Sequence, residues 1–292
     1  MRTNLDCFPC FLRQALDAAR MVTQDEKIQR KTINAILSIL SDVSVDTNPV
    51  EIAHAVHLRV KSIIGEDDPY KEVKRKQNEL ALRYESTLGA QIAEMSDPLK
   101  AALLLSALGN AIDLAPDHPV PDIYKKSSER ISRGFAWDDY KLFLERLEQS
   151  KSLLYLGDNA GEIVWDRLLV KKMLERFNLK MTYVVRGLPI LNDVTLEDAH
   201  FVKMDKTVKV ISNGFDAPGT LLDRCSEEFL NTYQKSDLIL SKGQGNYESL
   251  SGEDRPIFFL LQVKCPVIAR DIHCDVGDLV LKGQSAHGLF HP

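Results

Sequence analysis

The chain has 292 residues, of which 44% are hydrophobic and 27% are charged, and its formal net charge is -5. This composition is typical of a soluble globular protein, and the length favours two subdomains. With this negative net charge the chain has no overall positive potential that would attract nucleic acid. It also has no apolar run that approaches the roughly 20 residues needed to span a membrane. We therefore expect a cytoplasmic protein, and its five cysteines are too few for a disulfide scaffold.

The first half of the chain has the pattern of helices. Three pairs of an N-cap residue and a proline at the first helical position predict helix starts at Asn48-Pro49, Asp68-Pro69 and Asp97-Pro98. The third helix carries an apolar stripe and is expected to extend to about Leu114. Helices are expected to resume over residues 127–147.

From Lys151 onward, short apolar runs alternate with helical patterns. The predicted strands are Ser152–Leu156, Met181–Val185, Val208–Ile211, Leu238–Leu240, Ile257–Val263 and Pro266–Ala269. This alternation predicts the α/β class, with a parallel, doubly wound sheet and helices on both faces. We predict a helical N-terminal region over residues 1–148 and an α/β domain over residues 149–292.

Polar residues and glycines follow four of the predicted strands. They form the segments Gly157-Asp158-Asn159, Arg186 to Asp193, Ser212 to Asp216 and Ser241 to Glu248. Ligands of an open parallel sheet bind beyond the carboxyl ends of its strands, so these segments are expected to meet at one edge. A single polar segment of this kind is ordinary turn chemistry, but four together favour a site.

The oxygen atoms of Asp158, Asn159 and Asp193 suit a cation of the Mg or Mn class, which keeps open positions for water and phosphate. Lys242, before a Gly-x-Gly turn at Gly243, resembles a phosphate anchor whose neighbouring backbone N–H groups can approach an anion. Arg186 either binds a phosphate or carboxylate or forms a structural ion pair. The other polar side chains at this edge either contact substrate hydroxyls or form turns: Asn192, Asn213 and Asp216.

A cation, two carboxylates and a lysine are sufficient for the transfer of a phosphoryl group to water. The catalytic candidates are therefore Asp158, Asp193 and Lys242, with the cation and the lysine offsetting charge on the phosphoryl oxygens. A carboxylate would either activate a water molecule or attack phosphorus. The absence of an Asp-x-Asp-x-Thr/Val motif favours activated water, although Asp158 as the nucleophile stays open.

Other functions of the same fold have weaker support. The first strand is followed by Gly-Asp-Asn-Ala-Gly-Glu, which lacks the Gly-x-Gly-x-x-Gly of nucleotide-dependent oxidoreductases and is weak support for a methyltransferase. No phosphate-binding P-loop is present. A non-catalytic protein that binds phosphorylated metabolites could use the same pocket.

Two pairs of residues in the helical half stay open to several interpretations. Asn110 and Asp113 share a helical face and either point at the sheet edge or cap the helix. Cys7 and Cys10 either pack the first helix, hold a second metal or form a redox pair. A metal there needs two more ligands, which the spacing does not select among Cys225, Cys265, His273 and Cys274.

Five motifs carry a resemblance that covers nearly the whole chain. They are the Cys-Phe-Pro-Cys-Phe-Leu-Arg-Gln-Ala opening, Gly109-Asn110-x-x-Asp113, Gly157-Asp158-Asn159-Ala160-Gly161-Glu162, Arg186-Gly187-x-Pro189-Ile190-x-Asn192-Asp193-x-Thr195 and Ser241-Lys242-Gly243-x-Gly245-Asn246-x-Glu248. Together they resemble the metal-dependent damage-control phosphatases, long catalogued as domain of unknown function 89. The Cys-x-x-Cys opening resembles the prokaryotic branch of that family.

The resemblance implies a helical N-terminal region and a Rossmann-like three-layer α/β/α domain with a mostly parallel sheet. It implies hydrolysis of small phosphorylated metabolites, such as sugar phosphates or damaged cofactor phosphates, with Mn, Mg, Co or Ni. By motif match, Asp158, Asn159 and Asp193 would be the metal ligands and Lys242 would contact phosphate. An S-adenosylmethionine-dependent carboxyl methyltransferase activity, attached to a relative, is the alternative.

Overall fold

The computed structural model of the protein describes residues 1–109 and 129–284. Residues 1–109 form five helices. In chain order they are α1 (Cys7–Val22), α2 (Glu26–Ser41), α3 (Pro49–Ile64), α4 (Lys71–Glu94) and α5 (Pro98–Leu108). The first three pack around a cluster that includes Phe11, Ile36 and Val56. Helices α4 and α5 instead contribute to the core that covers one face of the sheet.

Two of the three predicted helix starts are confirmed by their caps. The Asn48 side chain accepts the backbone N–H of Val50 at 2.9 Å at the start of α3, and proline follows it. The Asp97 side chain likewise accepts the backbone N–H of Lys100 at 3.0 Å at the start of α5. The third helix starts later than predicted. Asp68 accepts the N–H of Tyr70 in a turn, and α4 begins at Lys71.

The C-terminal part of the described chain forms a seven-stranded sheet and its helices. The strands are β1 (Trp137–Asp138), β2 (Ser152–Leu156), β3 (Lys180–Val185), β4 (Lys209–Ser212), β5 (Leu238–Lys242), β6 (Ile257–Gln262) and β7 (Leu279–Gln284). The helices are α6 (Tyr140–Gln149), α7 (Glu162–Arg176), α8 (Leu196–Phe201), α9 (Glu227–Lys235), α10 (Gln244–Leu250) and α11 (Pro266–Ile272). Short 3-10 helices span Met204–Lys206 and Leu222–Arg224.

The order of the strands is β1-β7-β6-β5-β2-β3-β4. Strands β6, β5, β2, β3 and β4 run parallel, whereas β7 is antiparallel to β6. The predicted α/β class with a mostly parallel sheet is confirmed. Because β2 lies between β5 and β3, the carboxyl ends of these three strands meet at one edge of the sheet.

One prediction of secondary structure was wrong. Pro266–Ala269, expected to be a strand, is the start of helix α11, with extended Cys265 as its N-cap and proline at its first position. The helices expected over residues 127–147 are present at residues 129–133 and from Tyr140 onward, and β1 separates them. Neither β1 nor β7 was predicted from the sequence, and the two strands pair with each other at the edge of the sheet.

One hydrophobic core joins α4 and α5 of the N-terminal region to the sheet. It includes Leu103 and Leu105 of α5 together with Tyr155 of β2 and Trp165 of α7, all fully buried. This core contains residues from both sides of the predicted boundary near residue 148. The boundary therefore stays a prediction of where the chain changes architecture. No helix in the described ranges has the length and apolar character that would let it cross a bilayer.

Candidate active site

The turns after β2 and β3 are joined by their backbones. Asn159 and Asp193 form an isolated antiparallel bridge. The N–H of Val194 donates to the Asp158 carbonyl at 2.8 Å, and the N–H of Ala160 donates to the Asn192 carbonyl at 2.8 Å. These bonds fix the three predicted metal-ligating residues side by side at the carboxyl edge of the sheet, as the topology requires.

The three oxygen-bearing side chains of this cluster are nearly buried, with exposures of 7% for Asp158, 7% for Asn159 and 3% for Asp193. The Asn159 Nδ2 donates to Asp158 Oδ2 at 2.7 Å and to Glu162 Oε1 at 3.0 Å. Since both N–H groups of the amide point at carboxylates, its oxygen is the atom left for another ligand.

The electrostatics of the cluster fit a divalent cation. Burial, with the charges of Asp193 and Glu162, raises the pKa of Asp158 to about 7. Burial also raises the pKa of Asp193, against the opposing effect of Arg186. A cation would offset this concentration of negative charge, and carboxylate and amide oxygens are the ligands that a hard cation prefers. The set contains only two acidic ligands, and the described residues hold no group of three or more His, Cys, Asp or Glu arranged for a metal.

Lys242, predicted as a phosphate anchor, is held inside an ion-pair network. Its Nζ lies 3.0 Å from Glu162 Oε2 and 3.1 Å from Asp166 Oδ1, and the residue is 1% exposed. Burial alone would lower the pKa of Lys242, but Asp166 and Glu162 together raise it. Asp166 also accepts hydrogen bonds from Tyr155 and Tyr183. In this structure the ammonium therefore contacts carboxylates at the base of the site.

Arg186 also forms a structural ion pair, one of its two predicted roles. Its Nε donates to Asp193 Oδ2 at 2.7 Å. One terminal nitrogen lies 3.3 Å from Thr220 Oγ1 and 3.2 Å from Asn246 Oδ1, and the other is buried without a hydrogen-bond partner. The guanidinium thus holds Asp193 in a fixed orientation.

A cavity of about 390 Å³ opens in front of the cluster, lined by Asp158, Asn159, Asn192 and Asp193 on the sheet side. The opposite wall comes from the N-terminal helical region. It is formed by residues of α1 and of the start of α3, including Cys7, Cys10, Phe11, Pro49, Val50 and Ala53. The volume is in the range of small-molecule sites.

The other predicted residues divide between the cavity and ordinary turns. Asn192 lines the cavity. Asn213 instead accepts the backbone N–H groups of Gly187 and Phe215, each at 3.0 Å, so it forms a turn. Asp216 pairs with His54 at 2.9 Å. The predictions for Asn110 and Asp113 lie outside the described residues.

Cys7 and Cys10 line the cavity wall, and Cys7 also packs against the hydrophobic cluster of the first three helices. Cys265, from the segment before α11, lines the same cavity. Burial raises the pKa of both Cys7 and Cys10, so their thiols are largely protonated near neutral pH. The structure supplies the hypothesised second metal with no arranged set of further ligands within the described residues.

Four acidic or basic residues near the site were not predicted as site residues. Glu162 and Asp166 lie four positions apart on α7, a spacing that places both carboxylates on the face that meets the sheet, so helical periodicity could have identified them. Lys264 belongs to none of the motifs but lines the cavity. Glu248 lines it as well, and burial raises its pKa to about 7.

Gly243 brings the start of α10 against the cluster. It has a φ of +81°, and a Cβ at this position would collide with the Asp158 carboxylate. We expect Gly243→Ala to displace Asp158. It should also lower the free energy of unfolding by more than about 1 kcal/mol, because that is the largest change in stability usual for a glycine replacement without backbone strain. Urea denaturation and calorimetric Mn²⁺ titration would measure both effects. Gly252→Ala is the matched control, because its Cβ meets nothing within 4 Å; equal behaviour of the two variants would contradict the prediction.

Similar proteins extend over almost the whole chain. The family model of the damage-control phosphatase ARMT1-like domain matches residues 3–280. A damage-control phosphatase from Archaeoglobus fulgidus is 38% identical over 292 residues, which cover 97% of this chain and 99% of that protein. One from Pyrococcus horikoshii is 31% identical and covers 96% and 97%, respectively. A crystal structure of a DUF89 family protein from Pyrococcus horikoshii aligns with a TM-score of 0.90 at 30% identity, over 97% of this chain and 99% of that chain.

Proposed function

The chain belongs to the damage-control phosphatase ARMT1-like family, and from this premise we propose that it hydrolyses phosphate esters of small metabolites with a divalent cation of the Mn, Mg, Co or Ni class. The observation that carries the proposal is the grouping of Asp158, Asn159 and Asp193 at the end of one cavity of about 390 Å³. Relatives that are 31% and 38% identical over nearly the full chain are named damage-control phosphatases.

The cation would be held by Asp158, Asn159 and Asp193. When bound, it would supply a positive charge beside the phosphoryl oxygens and favour a deprotonated water near neutral pH. The buried carboxylates, whose pKa values are raised without it, would then stay ionised.

The protein's own groups hold this arrangement before substrate arrives. Arg186 orients Asp193 by its 2.7 Å ion pair. Lys242 holds Glu162, and Glu162 accepts one N–H of Asn159, which fixes the plane of the amide. The helices α1 and α3 cover the cavity from the opposite side, where Phe11 and Val50 exclude water from part of its wall. Preorganised charge in a site of low water content is the main means of catalysing phosphoryl transfer.

Removal of metal tests the proposal directly. We expect the protein purified after exhaustive chelation to lose at least about 100-fold in kcat/KM toward an aryl phosphate, since a catalytic cation contributes several kcal/mol. Added Mn²⁺ or Mg²⁺ should restore the rate, and a panel of phosphorylated metabolites should then define the substrate. Undiminished activity of the chelated protein would contradict the metal dependence. Saturable binding of S-adenosylmethionine in calorimetry, without phosphate release, would favour the methyltransferase alternative.

A further inference from the structure

The cavity has two ends, and the proposed reaction occupies only one of them. At the sheet end, a bound cation would offset the charges of Asp158 and Asp193, which both line the cavity. The phosphoryl group of an ester, with about 1.5 to 2 negative charges at neutral pH, would therefore lie at this end. The alcohol part of the ester must then occupy the rest of the cavity, so the residues there determine which esters fit.

The other end lies between the first turn of α1 and one face of α10. Gln244 and Glu248 are four positions apart on α10, so their side chains share the helical face that lines the cavity. Cys7 and Cys10 of α1 line the opposite wall. The charge of Glu248 contributes to the raised pKa of both thiols, so its carboxylate lies close to the α1 wall.

The polar side chains around Glu248 already have partners. Gln244 Nε2 donates to Cys265 Sγ at 3.7 Å. Asp6, the other carboxylate that lines this end, pairs with Arg270 at 2.7 Å. The Glu248 carboxylate differs from them, because it forms no hydrogen bond or ion pair with any residue that the structure describes.

The described part of the chain also supplies no cation that contacts this carboxylate. Burial raises the pKa of Glu248 to about 7, and the Met1 ammonium opposes that rise. The ammonium donates to the backbone carbonyl of Glu248 at 2.8 Å, forms no ion pair with its side chain and does not line the cavity. A half-buried carboxylate without a partner carries a desolvation cost, which a cationic group of a ligand would remove.

Much of the remaining wall is apolar. It includes the side chains of Phe11, Val50 and Leu191. Such a surface accommodates a carbon chain and leaves the hydrogen bonds of hydroxyl groups along that chain unsatisfied. The cavity thus fits a molecule of small size with a phosphoryl group at one end, a carbon skeleton between, and a cation at the other end.

We propose that Glu248 selects substrates whose alcohol part carries a basic amine, so that the substrates are phosphate esters of amino alcohols. The inference rests on the proposed phosphatase function and specifies its substrate class. The metal cluster holds the phosphoryl group, the apolar wall contacts the carbon chain, and the Glu248 carboxylate accepts charge-assisted hydrogen bonds from the ammonium. Glu248 is a specificity-determining residue, and no covalent step involves it.

The test compares matched pairs of esters in the full chain loaded with Mn²⁺. Each pair consists of an ω-aminoalkyl phosphate and the ω-hydroxyalkyl phosphate of the same chain length. At the best length the wild type should prefer the amine by about 10- to 100-fold in kcat/KM, the usual effect of a charge-assisted hydrogen bond. Glu248→Gln keeps the shape and removes the charge, so the ratio should fall to near unity. A merely structural role would lower both rates and leave the ratio unchanged.

Glu145→Gln is the matched control and should keep the wild-type ratio, because Glu145 is an exposed glutamate of α6 outside the cavity. A wild type that hydrolyses both esters without preferring the amine, or a preference that survives in Glu248→Gln, would overturn the inference and leave the phosphatase function intact.

Binding of the corresponding phosphonates, which cannot be hydrolysed, separates recognition from turnover. The calorimetric Kd of the wild type should be about tenfold or more lower for the amino phosphonate than for the hydroxy phosphonate, and Glu248→Gln should remove this difference. If that result is obtained but no ester is hydrolysed, the recognition by Glu248 holds and the phosphatase function fails. If the wild type neither binds the phosphonates nor hydrolyses the esters, both are overturned.

Discussion

Asp158→Asn is expected to reduce kcat/KM in the Mn²⁺-loaded protein by about 10³-fold, because several kcal/mol of metal-derived stabilisation correspond to about three factors of ten. Asp158 contributes one of only two carboxylates to the cluster and is 7% exposed. Asparagine keeps the shape of the side chain while it removes the charge that would hold the cation. The loss should therefore appear mainly in metal affinity and kcat.

A melting experiment separates this effect from unfolding. Mn²⁺ at 100 times its Kd should stabilise the wild type by about 2.7 kcal/mol and raise its Tm by several degrees. The same Mn²⁺ concentration should leave the Tm of Asp158→Asn nearly unchanged. Asp223→Asn serves as the control, since that side chain is 75% exposed and lies outside the cavity. Wild-type turnover by Asp158→Asn would remove Asp158 from the mechanism.

The metal-free protein gives a second, opposite effect of the same substitution. The folded pKa of Asp158, about 7, lies above the ordinary pKa of an aspartate, 3.8, so the folded state holds this proton more tightly than the unfolded state does. Stability of the metal-free wild type should therefore fall as the pH rises from about 4 to about 7. Asparagine cannot ionise and escapes this loss. Urea denaturation at pH 8 should show Asp158→Asn to be at least as stable as the metal-free wild type.

The local features of the fold were predictable where a chemical signal fixed them. Asn48 and Asp97 precede prolines, and the side-chain cap and the proline both require a helix start at that point. The five-residue run of β2 was predicted with its observed bounds, because apolar residues end abruptly at Gly157. The prediction of a strand at Pro266–Ala269 was wrong because four apolar residues are too few to distinguish a buried strand from a helix.

The grouping of the three predicted ligand residues was predictable from the sequence, but the direction in which the basic side chains point was not. Leu238, Leu240 and Lys242 alternate along β5, which directs all three toward the core shared with α5 and α7. The Gly-x-Gly turn after Lys242 suggested an anion site, but the alternation of the strand directs the ammonium toward Asp166. Lys264 carries no local signal, since its place on the cavity depends on the packing of α1 and α3 against the sheet edge.

Lys242→Met is expected to lower the free energy of unfolding by about 3 to 5 kcal/mol, the usual effect of removing one partner from a buried ion pair. Methionine fills a similar volume, so the loss would come from the unpaired carboxylates. Asp166 keeps hydrogen bonds from Ser106, Tyr155 and Tyr183 at 2.7 to 2.8 Å. Glu162 keeps the N–H of Asn159. Because the Lys242 ammonium contacts both carboxylates, part of the cost should come from Glu162.

A double variant tests this division of the cost. Glu162→Gln removes the charge that Lys242→Met leaves unpaired, so the combined loss should be smaller than the sum of the single losses by more than about 0.5 kcal/mol. Lys209→Met is the matched control, because its pair with Glu228 is 58% and 65% exposed and such pairs contribute about 1 kcal/mol or less. Urea denaturation of the metal-free proteins measures all four variants. A stable Lys242→Met with a raised inhibition constant for phosphate would instead return Lys242 to the role of phosphate anchor.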